Sequence, residues 1–303
     1  MGHAQLLKSN PSRQLYVAQS APVAARPHQT LMKYSEDWAT LACVIGTLSL
    51  GLLPVFFHFP AWLLALYLPV AWLTRLPTAS IQHHQSHLKV FSSKALCFVY
   101  DVCLMMVTGY TTPIWELQHG RGHHRQYLKP ESDVTYVGRF GNPEGLKGRL
   151  RYMVLGDFFI VSDSYKIALE QRKEERTRLV ARMTFHLVLQ IGLTAALLKI
   201  NPLMGTLFFV IPNLVMRYLV WWSAYWHHKD FPTHDLYDSS TNKLDEFFNQ
   251  ITFNSGHHTA HHEKPTLHWS RLPGRTRAIL HRIPDFCLRS EASKRARPSL
   301  LRP

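Results

Sequence analysis

The chain has 303 residues, of which 46% are hydrophobic, and its 34 basic against 20 acidic residues give a formal net charge of +14. The apolar residues gather in long blocks, which favours a membrane protein over a soluble globular one. The positive charge does not require nucleic acid, because basic residues beside membrane spans set topology and contact anionic lipid. We therefore expect membrane lipid as a partner and no nucleic acid.

The chain begins with a polar tail, which an apolar hairpin follows. Residues 1–34 lack the continuous apolar region of a secretory signal and are predicted to be a mobile tail, as is the basic segment 289–303. Residues 38–57 carry no charge and can cross a bilayer, which needs roughly 20 residues of helix. Residues 61–77 are apolar up to Arg75 and are predicted to return across the membrane.

A second apolar pair lies at residues 185–200 and 203–222 and is divided by Pro202, which cannot continue a helix. The semi-apolar runs 95–114 and 150–169 are predicted to be helices that lie in the membrane interface or pack in the core. The pattern predicts an all-α integral membrane protein with four transmembrane helices in two hairpins, capped by a layer of helices.

The distribution of charge predicts the orientation of these spans. Of the 34 basic residues, 15 lie between residues 78 and 184, 12 follow residue 228 and 4 precede Asp37, whereas the two turns hold only Lys199. Short translocated loops avoid lysine and arginine. Both termini, the middle loop and the helical cap are therefore predicted to be cytoplasmic.

Histidine is the most informative residue type, because 12 of the 19 histidines lie in four clusters within the predicted cytoplasmic parts. Residues three or four apart share one face of a helix, so each such pair can bind a metal ion from one side. Six of the isolated histidines are interpreted as ordinary surface or core residues: His3, His28, His58, His186, His234 and His281. The clusters are His83, His84 and His87; His119, His123 and His124; His227 and His228; and His257, His258, His261 and His262.

This pattern resembles the membrane fatty acid desaturase and hydroxylase superfamily, which includes the alkane omega-hydroxylases, over roughly residues 38–275. Residues 253–265 (FNSGHHTAHHEKP) and 267–273 (LHWSRLP) are similar to the end of many bacterial members. The resemblance implies a desaturase domain over residues 35–288. It also implies a non-haem di-iron site on the cytoplasmic side of a membrane, here the bacterial inner membrane.

The resemblance further implies nine histidine ligands for two Fe²⁺ ions, with O₂ as co-substrate. One ligand of the family follows the last membrane helix, and residues 224–228 (AYWHH) place His228 there, although the adjacent His227 leaves the choice open. His84 and His257 occupy positions that are not ligands in most relatives. Polar residues near the boxes are candidates to accept the second imidazole N–H, with none preferred: Glu116, Asp133, Asp230, Asn254 and Glu263. The implied ligands are His83, His87, His119, His123, His124, His228, His258, His261 and His262.

The activity that the resemblance implies is oxygen-dependent desaturation of a fatty acyl chain carried by acyl carrier protein, CoA or a lipid. The runs 95–114 and 150–169 would cover the acyl tunnel or pack in the core. Electrons would come from a separate ferredoxin, rubredoxin or cytochrome, because the four cysteines form no CxxC pair for a fused rubredoxin and the chain has no added length for a fused haem domain.

Other outcomes fit the same histidines. A related enzyme could hydroxylate an acyl chain or alkane, form an acetylenic bond, or decarboxylate a fatty acid to a terminal alkene. A non-enzymatic membrane metal-binding protein is a further alternative. It is disfavoured because a metal transporter should place ionisable groups inside its spans, whereas only Arg217 lies well within one.

Overall fold

The computed structural model describes residues 31–288, and within them the chain is helical without a β-strand, as predicted. The predicted tails 1–34 and 289–303 lie outside the described residues, except for Leu31 to Tyr34. The helices are α1 (Asp37–Phe56), α2 (Ala61–Leu73), α3 (Leu76–His87), α4 (Lys94–Thr108), α5 (Thr112–His124), α6 (Gly145–Leu169), α7 (Lys173–Ile200), α8 (Pro202–His228), α9 (Glu246–Ile251), α10 (His258–Glu263) and α11 (Leu272–Ile279).

Three helices, α1, α7 and α8, are long and apolar enough to cross a membrane. Helices α4 and α5 add a fourth candidate if this pair, bent by 87°, counts as one span. The predicted spans 185–200 and 203–222 lie within α7 and α8. The prediction for residues 61–77 differs from the structure, because α2 stops at Leu73 after 13 residues. A helix of that length reaches about 20 Å, which is less than a hydrocarbon core of about 30 Å.

Apolar side chains cover the outward faces of these helices. Trp62 and Leu66 of α2 are each 67% exposed, and Ile191 of α7 is 69% exposed. Apolar area of this extent is unfavourable in water and compatible with lipid chains. The exposed faces are therefore consistent with a bundle embedded in a membrane, in which α2 also contacts lipid.

Arg75 occupies the break between α2 and α3 and is only 2% exposed. Its guanidinium donates to the carbonyl oxygen of Val107 at 2.8 Å, to Oδ1 of Asn213 at 2.7 Å and to the carbonyl oxygen of Phe208. Phe208 lies in the π-helical turn Thr206–Val210 of α8, where the α-helical ladder is interrupted. The buried cation thus ties the end of α2 to α4 and α8.

The bend between α4 and α5 depends on Gly109. This residue has φ +79°, and a Cβ there would lie 2.9 Å from both Cβ and the carbonyl oxygen of Asn213. Only glycine adopts this backbone conformation without strain. The bend turns α5 away from the axis of α4, so that His119 reaches His83 of α3.

The segment from α9 to α11 packs around its own small core and reaches back to the start of α1. Asp37 Oδ1 accepts a hydrogen bond from Trp269 Nε1 at 2.9 Å and lies 3.1 Å from His268 Nε2. The ring of Tyr34 stacks on His268 at 4.0 Å. These contacts hold the segment that contains α10 beside the first membrane helix.

Candidate metal centre

Histidines from α3, α5, α8 and α10 converge at one end of the helices and form two groups. Within each group, one candidate ligand atom of every residue lies within 4.8 Å of the others. Group A contains His83, His87, His119, His124 and His261. Group B contains His123, His228 and His262. His258 lies beside group B, so the structure brings all nine predicted residues together.

The Nε2 atoms of His83, His119, His124 and His261 form a closed ring. Its sides measure 2.9, 3.0, 3.0 and 2.7 Å. A neutral ring nitrogen carries either one proton or one lone pair, so at most two of the four contacts can be hydrogen bonds. The corners of a flat square with these sides would lie about 2.0 Å from its centre, which is the usual distance from imidazole nitrogen to a bound metal such as zinc. Group A therefore fits a metal ion better than it fits a hydrogen-bonded network.

His87 adds a fifth nitrogen to group A. Its Nε2 is buried and has no hydrogen-bond partner among residues 31–288. A buried imidazole nitrogen without a partner is costly, and a metal ion would satisfy it. The site's all-imidazole donor set suits iron, copper, zinc or nickel.

Group B is held by nitrogen contacts of the same kind. His258 Nε2 lies 3.2 Å from His228 Nε2 and 3.1 Å from His262 Nε2. His123 joins them, and the His124 and His262 rings lie 4.4 Å apart, which places the two groups side by side. The arrangement can hold two metal ions as neighbours.

Helix α5 positions its histidines differently from the expectation. His119 and His123 were expected to bind as one i, i+4 pair, yet the structure assigns them to groups A and B, respectively. Residues Glu116–His124 are π-helical, so the residue that shares a group with His119 is His124, at i+5. The α-helical pair His83 and His87 stays in one group, as predicted.

Helix α10 also divides its histidines between the groups. His261 belongs to group A, whereas His262 belongs to group B and lies one α-helical turn from His258. The turn before α10 is tightly closed at Gly256, where a Cβ would lie 2.0 Å from the carbonyl oxygen of Lys243. A glycine is therefore needed for α10 to begin where its histidines reach both groups.

Asp133 and Thr135 orient His123. The ring Nδ1 of His123 lies 2.8 Å from Asp133 Oδ2 and 2.7 Å from Thr135 Oγ1, and the threonine hydroxyl donates to Asp133 Oδ1 at 2.8 Å. A carboxylate that accepts the Nδ1 proton leaves the Nε2 lone pair for a metal. Asp133 is thus the one member of the predicted acidic and amide set that reaches a histidine of the two groups, and Thr135 was not anticipated.

Replacing Asp133 by asparagine is expected to weaken binding of the metal in group B by roughly 10–100-fold, the usual effect of removing such a carboxylate. Asparagine keeps the shape but lacks the charge that fixes the His123 tautomer. A chelator titration of the metal-loaded protein measures the change. Asp163→Asn is the control, because buried Asp163 pairs with Arg139 at 2.6 Å. Equal losses in the two variants would contradict the assignment.

The other predicted orienting residues have different partners. Glu116 pairs with Lys89 at 2.8 Å and with Arg182, and Asn254 donates to the carbonyl oxygen of Trp269 at 3.1 Å. Asp230 pairs with Lys229, and Glu263 pairs with Arg275. These residues stabilise the elements that surround the site.

The remaining clustered histidines lie outside both groups. His84 Nε2 lies 3.0 Å from the carbonyl oxygen of Phe253, and His257 Nδ1 lies 2.9 Å from Thr276 Oγ1. The His227 ring lies 4.0 Å from that of His258, but of the two adjacent residues His227 and His228 it is His228 that offers a nitrogen to group B. Four isolated histidines lie outside the groups, as expected, namely His58, His186, His234 and His281, whereas His3 and His28 lie outside the described residues.

Burial favours the neutral form of several site histidines. It lowers the pKa of His87 to about 3, with smaller effects from His84 and His123. Burial also lowers the pKa of His83, His258 and His261 well below the ordinary value, and neighbouring histidines add to the effect. A neutral imidazole has the free lone pair that metal binding requires.

The metal-free protein is expected to lose stability as pH falls below 6.5, the ordinary histidine pKa. Burial lowers the folded pKa of His87 to about 3 and those of His84 and His257 to about 4, so the unfolded chain binds protons first. As pH falls from 6.5 to about 5.5, each such group lowers the free energy of unfolding by about 1 kcal/mol. The three together should lower the unfolding temperature by roughly 5–10 °C.

Thermal unfolding of chelator-treated protein in detergent tests this pH dependence. The unfolding temperature should be nearly constant above pH 6.5 and fall below it. An unfolding temperature that stays constant down to about pH 5 would show that these rings are solvated.

Comparison with known proteins adds one match. The family model described as fatty acid desaturase matches residues 57–290 of the chain. No curated protein matches the chain at a significant level. The matched range includes all nine histidines and every helix from α2 to α11.

Proposed function

Because the chain belongs to the fatty acid desaturase family, we propose that it is a membrane oxidoreductase that uses O₂ and two Fe²⁺ ions to desaturate a fatty acyl chain. The observation that carries the proposal is the pair of adjacent histidine groups, in which the imidazoles of eight residues, with His258 beside them, bring their ring nitrogens close together. The family implies an oxidoreductase, and the groups supply a place for its metal ions.

Each group would hold one iron. His83, His87, His119, His124 and His261 would bind the first, and His123, His228, His258 and His262 the second. When bound, the iron pair supplies the dioxygen chemistry that removes hydrogen from an unactivated C–H bond. Burial favours the neutral form of His83, and Asp133 would accept the Nδ1 proton of His123, which leaves the Nε2 lone pair for the metal.

The setting of the site supports a lipid-like substrate. Helices α1, α7 and α8 are long and apolar enough for a membrane, and the histidines lie at the ends of α3 and α8. An acyl chain could therefore reach the metal ions from the apolar side while the polar part of its carrier stays at the water interface. We propose acyl carrier protein, CoA or a lipid as that carrier.

The basic character of the chain supports the remaining proposals. Its distribution of lysine and arginine favours cytoplasmic termini and a cytoplasmic site in the bacterial inner membrane. An acidic ferredoxin, rubredoxin or cytochrome would approach such a surface quickly, because complementary charge accelerates encounter. That partner would supply the electrons that the reaction consumes.

Mass spectrometry of lipids and free fatty acids from cells that express the protein tests the proposal, together with metal analysis of the protein purified in detergent. Iron, with loss of one pair of hydrogens from an acyl chain, would support a desaturase. Loss of a second pair of hydrogens would indicate an acetylenase, an added oxygen a hydroxylase, and loss of the carboxyl carbon a decarboxylase. Unchanged lipids, together with bound zinc or no bound metal, would refute the proposed enzymatic activity.

A further inference from the structure

Trp115 lies directly against two histidines of group A. Its ring stacks on that of His83 at 5.7 Å with an interplanar angle of 8°, and it meets the His119 ring edge-on at 5.3 Å. Trp115 Nε1 is buried and has no hydrogen-bond partner among residues 31–288. An indole whose N–H has no acceptor retains its proton, so it can lose and regain an electron without an accompanying proton transfer. Trp115 is therefore placed to relay an electron to or from the metal centre.

Tyr110 lies on the other side of Trp115. The two rings meet edge-on with centroids 6.3 Å apart. The Tyr110 hydroxyl donates to Asp157 Oδ1 at 2.5 Å, and Trp221 Nε1 donates to the Tyr110 oxygen at 3.1 Å. A phenol with a carboxylate at hydrogen-bond distance can release its proton at the moment it loses an electron. Trp221 would then stabilise the oxygen that remains.

Arg217 fixes the position of the Asp157 carboxylate. Its Nε donates to Oδ1 at 2.8 Å and its Nη2 to Oδ2 at 3.0 Å, which is a bidentate pair. The phenol becomes a strong acid once it is oxidised, so the carboxylate of Asp157 can accept its proton. The ion pair thus holds the proton acceptor at hydrogen-bond distance from Tyr110.

We infer that Tyr110 is a redox-active tyrosine, which returns an electron to the oxidised metal centre through Trp115 when no acyl chain is bound. The inference rests on the proposed function, because the centre must be an oxidant. In this step Tyr110 loses one electron, its hydroxyl proton moves to Asp157 and the centre gains that electron. The external one-electron donor then reduces the tyrosyl radical, which takes its proton back from Asp157.

A second phenol near the site provides a matched contrast. Tyr127 stacks on the His262 ring at 4.0 Å, closer to a histidine than Tyr110 is. Its hydroxyl donates to the carbonyl oxygen of Ser239 at 3.1 Å and lies 2.8 Å from Ser239 Oγ. Neither oxygen is a base comparable with a carboxylate. Proximity alone would favour Tyr127 as the radical site, whereas the proton acceptor favours Tyr110.

The test uses the full-length, iron-loaded protein in detergent. The protein is reduced with dithionite under argon, mixed with air-saturated buffer without acyl substrate, frozen, and examined by electron paramagnetic resonance. A tyrosyl radical is expected, and its line should narrow in protein grown on ring-deuterated tyrosine. Tyr110→Phe and Asp157→Asn should each lose the signal, whereas Tyr127→Phe should keep it.

A second measurement uses the unaltered protein, in case Asp157→Asn does not fold. After repeated cycles of reduction and air, peptide mass spectrometry is expected to find oxidation at Tyr110 in preference to Tyr127. A signal that survives Tyr110→Phe, or that disappears in Tyr127→Phe, would overturn the inference. Iron-loaded protein that desaturates an acyl chain but forms no tyrosyl radical would overturn the inference alone. A protein that binds no iron would overturn both it and the proposed function.

Discussion

His261→Ala is expected to remove roughly one of two bound irons per chain and to abolish acyl oxidation. His261 Nε2 lies 2.7 Å from His83 Nε2 and 3.0 Å from His124 Nε2, so it supplies one corner and two sides of the ring in group A. Alanine removes that corner and opens a gap beside the remaining imidazoles. Group B keeps its three histidines and the adjacent His258, so its metal should stay.

Metal analysis of the purified variant, with mass spectrometry of the cell lipids, measures both effects. His281→Ala is the control, because His281 is exposed and lies outside both groups. It should retain the metal content and lipid profile of the unaltered protein. Unchanged iron content together with unchanged lipids in His261→Ala would contradict the assignment of His261 to a metal site, whereas full iron content with lost activity would assign His261 a role in the reaction rather than in holding the metal.

His228→Ala should remove the metal of group B, whereas the neighbouring change His227→Ala should leave most of it. His228 Nε2 lies 3.2 Å from His258 Nε2, and its Nδ1 lies 3.4 Å from the carbonyl oxygen of Ser239. The His227 ring lies 4.0 Å from the same His258 ring at an interplanar angle of 34°, but it contributes no nitrogen to either group. Although His227 and His228 are adjacent at the end of α8, we therefore expect only His228 of the two to bind metal.

The two variants are compared at equal expression by their metal content and by electron paramagnetic resonance of the reduced protein. Loss of coupling between the irons in His228→Ala, with coupling retained in His227→Ala, would agree with the assignment. The reverse outcome would identify His227 as the ligand. Similar losses in both would mean that the end of α8 is sensitive to any change and that the variants do not separate ligand from neighbour.

Much of the site could be predicted because histidine spacing is a local property of a helix. His83 and His87 lie four residues apart in an α-helix and share a group, as that spacing requires. The division of His119 and His123 between groups could not be predicted, because it depends on a π-helix stabilised by its surroundings. One such contact is the hydrogen bond from Val134 N to the carbonyl oxygen of Gly122.

The fold was predictable in class and less so in its boundaries. Long apolar runs identified α1, α7 and α8, because hydropathy over 18 or more residues is largely independent of tertiary contacts. The position at which α2 ends could not be predicted, because it depends on hydrogen bonds from Arg75 to carbonyl oxygens of distant helices. The contact of His268 could not be predicted for the same reason, since its partner Asp37 lies 231 residues away in the sequence.

The buried guanidinium at the end of α2 also constrains the order in which the protein is made. One of its acceptors, the carbonyl oxygen of Phe208, lies 133 residues further along the chain. At about 5–20 residues per second, the ribosome delivers that acceptor roughly 7–27 s after Arg75 itself. Until then the cation lacks part of its set of acceptors, and burying it with unsatisfied N–H groups is costly. We therefore expect α1 and α2 to reach their final depth only after the first turns of α8 have been synthesised.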